Sequence, residues 1–134
     1  MPYLFELDAT HRILRILFEG RIADSHLVEF YQISAPPILI RTKPRGAIID
    51  FTPVTQFLVT PETIRKLAAA APLMPNPNEP RIVVASSPHI FGMARMFQVE
   101  GEQTRPSFHV VRTLREACAI FGVPKLKFSP VPEE

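Results

Sequence analysis

The chain has 134 residues, 46% apolar and 21% charged, the balance of an ordinary globular protein and length enough for one domain. Its 15 basic and 13 acidic residues leave a net charge of +2, so the pI near 9.0 reflects a small excess of base, and nucleic acid is not an expected partner. One cysteine excludes an internal disulfide and any cysteine-based metal cage, and no apolar run approaches the ~20 residues of a membrane span.

Residues 3–7 alternate and meet a polar turn, Asp8-Ala9-Thr10-His11; the β-branched run Ile13-Leu14-Arg15-Ile16-Leu17-Phe18 follows. Together they predict an antiparallel hairpin. The first eight residues place no positive stretch before their apolar ones, so no signal peptide is expected and the cytoplasm is the expected compartment. Asp24 or Ser25 can cap a helix carrying Leu27, Phe30, Tyr31 and Ser34, with Pro36-Pro37 as its stop. Ile38-Leu39-Ile40 reads as a short strand or a buried loop.

Gly46-Ala47-Ile48-Ile49-Asp50-Phe51 is a continuous apolar run, as in a strand covered on both faces. Thr60-Pro61-Glu62 starts a helix with a capping hydroxyl, a proline in the first turn and an acid beside the helix dipole; Ile64, Leu67, Ala68 and Ala71 form its inward stripe. After a loop with four prolines, Ile82-Val83-Val84-Ala85 is a second doubly buried strand. Ser86 or Ser87 then opens a third helix to about residue 100. Residues 107–111 form the next strand. Thr113-Leu114-Arg115-Glu116 is a capping box for a last helix that buries Leu114, Ala117, Cys118 and Phe121 and closes at Gly122.

Strands alternating with helices imply one α/β domain over residues 1–123, with a mixed, mostly parallel sheet, an N-terminal antiparallel hairpin and about four helices. Residues 124–134 are expected to be a loosely ordered tail. The 15 prolines, roughly twice the usual ~5%, fall at helix starts, after helix ends or in loops. They punctuate the fold.

Few signatures of chemistry are present. None of the five glycines is two residues from another, which excludes G-x-G-x-x-G and Walker loops. No two of the four histidines stand four residues apart, and no G-x-S-x-G elbow occurs. Cys118 falls on the apolar side of its helix, the place of a small buried hydrophobe. No metal, no cofactor and no catalytic set is expected, and the protein is read as a non-enzyme.

Two places stand out. In open α/β sheets ligands sit beyond the carboxyl ends of the parallel strands, and that edge gathers Asp50, Thr52, Ser86, Ser87 and His89. They form a candidate ligand edge, although hydroxyl and carboxylate residues also cap helices. The third helix is apolar over more of its circumference than one sheet face needs. Met93 and Phe97 lie on its core stripe, while Phe91, Met96 and Val99 fall outside it, and these five make a candidate interface for a protein partner or a second copy of the chain.

The element order and three segments resemble the STAS domain, the SpoIIAA-like fold of anti-sigma-factor antagonists. The segments are Leu14-Arg15-Ile16-Leu17-Phe18-Glu19-Gly20-Arg21 with Asp24, Gly46-Ala47-Ile48-Ile49-Asp50-Phe51-Thr52-Pro53-Val54, and Phe91-Gly92-Met93-Ala94-Arg95-Met96-Phe97-Gln98. The third is similar to the short bacterial STAS/SEC14-type proteins of unassigned function. In regulatory members a serine at a helix start is phosphorylated by a partner kinase. Thr60 falls at that position as the candidate phosphoacceptor, with Leu58 in place of the acid and Pro61 in place of the glycine. The resemblance implies a regulatory or scaffolding module working through protein contacts, as a homodimer through the third helix. The alternative is a module binding a small apolar ligand or lipid, which the excess of Phe and Met also suggests.

Overall fold

Strands β1 (Tyr3–Asp8) and β2 (Ile13–Phe18) pair antiparallel, Tyr3 opposite Phe18 and Asp8 opposite Ile13, as their sequences predict. The chain then runs through β3 (Gly20–Ile22), α1 (Asp24–Glu29), α2 (Ala35–Thr42), β4 (Gly46–Asp50), β5 (Val54–Phe57), α3 (Pro61–Ala69), β6 (Arg81–Val84), α4 (Pro88–Glu100), β7 (Phe108–Val111), α5 (Leu114–Phe121) and β8 (Ser129–Pro130). This computed structural model describes residues 2–132. Six strands form one mixed sheet in the order β7-β6-β4-β2-β1-β8, parallel from β2 to β7. β3 and β5 make a separate parallel pair that the sequence did not predict.

Alternation along the central strands sends side chains to two layers. Ile48, Ile82 and Val84 face α5 and Leu126, forming one core cluster with Ala117 and Cys118. Leu14, Ile16, Val83 and Phe108 face the other side, under α1 to α4, where most of the aromatic rings collect. Every residue of β6 is buried, as expected for a strand covered twice. Thr113 and Glu116 make the predicted capping box, and Gly122 ends α5 at φ 72°.

The first helix departs from its sequence reading at both ends. Ala23 is its N-cap; the Asp24 carboxylate turns away to Thr60, and the His26 ring accepts from the Ala23 N–H instead. Pro36-Pro37 does not stop it. A π-helical turn, Phe30–Ser34, joins α1 to α2, so the described residues form four helical units. Proline has no N–H and its ring crowds the carbonyl four residues back. Here Ala35 bonds to the Phe30 carbonyl five residues back, and the widened turn takes the two prolines at the start of α2. Residues 38–40 are therefore helical, neither strand nor loop, and Lys43 closes α2 in the left-handed region at φ 47°.

The segment expected to be a loose tail is tied to the sheet through residue 132. Lys127 donates its N–H to the buried Asp8 carboxylate at 2.7 Å, Leu126 is buried, and β8 pairs with β1. The Arg15 guanidinium lies 4.4 Å above the Phe128 ring. Pro130 is tolerated because β8 is the outermost strand, where a missing donor interrupts no ladder.

Candidate functional site

The helical layer does not close fully on the sheet. Between them lies a cavity of about 130 Å³ whose wall is almost entirely hydrocarbon. Its floor is Leu14 and Ile16 of β2, Ala47 and Ile49 of β4 and Val83 of β6. Phe30, Tyr31 and Leu39 cover it from the first helical unit, Ile64 and Leu67 from α3, and Met93, Ala94 and Phe97 from α4. Small side chains create the space: Ala35, Ala47 and Ala94 each bring only a methyl group to the wall. Ile49 shows the effect. It sits on a central strand flanked on both sides, yet it is half-buried, because its side chain faces the cavity.

Two buried arginines border the cavity, although its wall keeps almost no polar surface. Arg81 is 7% exposed and Arg105 is 5% exposed, and both line the cavity. Arg81 donates to the carbonyls of Met74, Asn76, Pro77 and Glu79, holding the proline-rich loop against the start of β6. Arg105 donates to the carbonyls of Leu67, Ala68 and Ala70 at the end of α3, and to the Tyr31 hydroxyl at 2.8 Å. Tyr31 in turn donates to the Ala71 carbonyl. Burial lowers the Arg81 pKa below its usual value, and the neighbouring Arg105 charge adds to the effect.

The candidate ligand edge is a row along the strand ends. Asp50 is buried and accepts from the Thr52 N–H and hydroxyl, with the Arg15 guanidinium 3.8 Å away. Ser87 caps α4 through the Ile90 N–H. Ser86, Thr52 and His89 are exposed, and the His89 ring stands edge-on to Phe57 at 5.9 Å. Asp50, Thr52 and Ser87 thus have local hydrogen-bond partners. Among the described residues, no three His, Cys, Asp or Glu are grouped to hold a metal ion.

The candidate interface turns largely inward. Met93 and Phe97 line the cavity, Met96 packs on the core cluster, and the Arg112 guanidinium covers the Phe91 ring at 4.0 Å. Val99 is 60% exposed, and Phe91, Met93, Met96 and Phe97 are half-buried, each with part of its surface open. The Thr60 hydroxyl donates to Asp24 Oδ2 at 2.9 Å and weakly accepts from the Thr63 N–H. A phosphate at that atom replaces the hydrogen Asp24 accepts and sets two anions side by side.

Sequence reasoning missed the cavity and both arginines. A void has no motif: it is the sum of side-chain sizes on elements far apart in the chain. The only advance signals are the alanines in otherwise bulky stripes and two arginines bordering strand-like segments.

No family model matches the chain, and no curated protein or solved structure matches it. Among the described residues, no helix is long and apolar enough to cross a membrane. What the coordinates define is a class of architecture: a mixed α/β sheet with an apolar cavity beneath one face.

Proposed function

We propose that this protein is a non-enzymatic binding module for a small apolar or amphipathic molecule, within the SpoIIAA-like, STAS/SEC14-type pattern its sequence resembles. The carrying observation is the hydrocarbon-walled cavity of about 130 Å³. Apolar wall that a protein's own side chains leave uncovered loses packing contacts and costs free energy. A molecule that fills the cavity offsets that cost, which is a thermodynamic motive for binding. Apolar walls with a few fixed polar groups are also the usual make-up of a small-molecule site.

The other reading, a regulatory or scaffolding module acting through protein contacts or as a homodimer, has weaker support. On α4 it has the exposed Val99 and the half-buried Phe91, Met93, Met96 and Phe97.

Native mass spectrometry of the purified protein tests the proposal. We expect a small apolar molecule to be retained by the native chain and lost from Ala94→Leu, whose longer side chain occupies the cavity. A clean protein mass from the native chain, with no stabilisation by small hydrocarbons or alcohols, overturns it.

A further inference from the structure

We infer that the outer face of α2 docks on the surface of an anionic lipid bilayer, its isoleucines entering the headgroup boundary and the cations at its end meeting the lipid charge. This goes beyond the reading of the cavity and does not depend on it.

The helical unit that carries α2 has apolar residues on two sides. Ala35 and Leu39 line the cavity and Ile38 packs on the core cluster. Ile33, Pro37 and Ile40, spaced four and three residues apart, share the outward face, and all three are exposed. Ile40 is 73% exposed and Ile33 68%, more than any other large apolar side chain among the described residues. Beyond Ile40 the helix ends in cations: Arg41, Lys43 and Arg45, each exposed. Arg12, exposed as well, donates to the Lys43 carbonyl, and its own carbonyl accepts from the Arg45 N–H. The turn between β1 and β2 is thereby fastened to the end of α2, and Arg12, Lys43 and Ile40 line one groove, with Glu79 as the acid on its wall. Arg12, Lys43 and Arg45 form no ion pair with a carboxylate among the described residues.

An aliphatic stripe with cations beside it is the make-up of a helix that lies in a membrane interface, and anionic lipid attracts such cations. The other occupants fit less well. A second copy pairing through the same face would set these cations against their own counterparts. A protein partner draws on about 20–30 residues a side, with anchors seated in pockets. This face offers isoleucines standing out from one short helix. A lipid surface demands no complementary shape. The docked face also adjoins the cavity, since Leu39 lines both the cavity and the groove that holds Ile40.

Flotation with two kinds of vesicle tests this: phosphatidylcholine alone, and phosphatidylcholine mixed with phosphatidylglycerol. Each cation near an anionic surface is worth about fivefold in binding, so we expect the mixed vesicles to bind roughly tenfold tighter or more. That advantage should disappear in about 1 M salt, where the screening length is about 3 Å. Lys43→Asn/Arg45→Gln should weaken binding to the mixed vesicles by about twentyfold. Asparagine suits the left-handed backbone at residue 43. Ile33→Ser/Ile40→Ser should weaken it by about tenfold, with thermal unfolding unchanged because both side chains are exposed. Ile120→Ser, on α5 across the sheet, should bind like the native chain. Equal binding to both vesicles, or undiminished binding by the isoleucine variant, overturns the inference. So does an equal loss in Ile120→Ser. A solution dimer that Ile33→Ser/Ile40→Ser dissolves makes a second copy the occupant and overturns it as well. No binding to the mixed vesicles overturns it and leaves the cavity reading standing.

Discussion

The Asp24 carboxylate holds Thr60 twice, accepting its backbone N–H at 2.7 Å and its hydroxyl at 2.9 Å, across 36 residues of chain. It fastens the first turn of α1 to the N-cap of α3, two of the helices that roof the cavity. Hydrogen bonds to charged groups contribute about 1.5–3 kcal/mol, and an N-cap side chain about 1 kcal/mol. We expect Thr60→Val to cost about 1–2 kcal/mol and Asp24→Ala about the same, with a coupling of about 1 kcal/mol in a double-mutant cycle by urea unfolding. Strictly additive costs contradict the pairing. Thr60→Glu should be worse than Thr60→Val, because it sets a second anion against Asp24.

The same carboxylate sets a dependence on acid. Burial opposes ionisation of Asp24, but the hydrogen bonds from Thr60 and Thr63 outweigh it and hold the group below its usual 3.8. At Asp8 burial is likewise outweighed, by the N–H groups of Lys127 and His11 and by the His11 ring. A carboxyl with a lower pKa folded than unfolded adds stability that is complete above the unfolded value and lost as pH falls through the folded one. Urea midpoints should therefore be flat above about pH 5 from these two groups and fall below pH 3.8. Asp8→Asn and Asp24→Asn should each start lower and flatten that acid limb. An unchanged slope in both contradicts the assignment.

Gly46, at the start of β4, is required by a close approach: a Cβ there meets the Phe121 ring of α5. Gly46→Ala should destabilise by about 1–3 kcal/mol, the usual cost of overpacking. Shrinking the ring in Gly46→Ala/Phe121→Leu should recover part of the loss in thermal unfolding. A single variant as stable as the native chain refutes the contact.

Leu126, buried against Ile48 and Ala117 in the layer under α5, tests the docking of the final segment. Leu126→Ala should cost about 2–4 kcal/mol and speed amide exchange at Lys127, whose N–H is held by Asp8. A segment that contributes nothing shows neither change.

Sequence alone determined most of the frame. Strands β1, β2, β4, β6 and β7, the caps at Thr60 and Thr113 and the stop at Gly122 follow from local rules, since periodicity, hydroxyl caps and left-handed glycine act within one turn or one strand. The proline excess set several boundaries for the same reason. It misled at Pro36-Pro37, where the π turn Phe30–Ser34, held at Ser34 by the Tyr3 hydroxyl, lets α2 begin with both prolines. Tyr3, on β1, binds Ser34 and Glu29 through its hydroxyl, a partner no local rule supplies.

Tertiary structure decided the rest. Asp24 reads as a helix cap because its neighbours in sequence are a helix; its true partner is 36 residues away. The apolar excess of α4 reads as an interface, and the cavity and the Arg112 guanidinium take it up. The cavity itself is a matter of unfilled volume between elements, and the charges of Arg81 and Arg105 matter only once folding has buried them together. Chemistry that depends on size, distance and burial comes from the packing of the chain, while its order along the chain sets only which elements are there to pack.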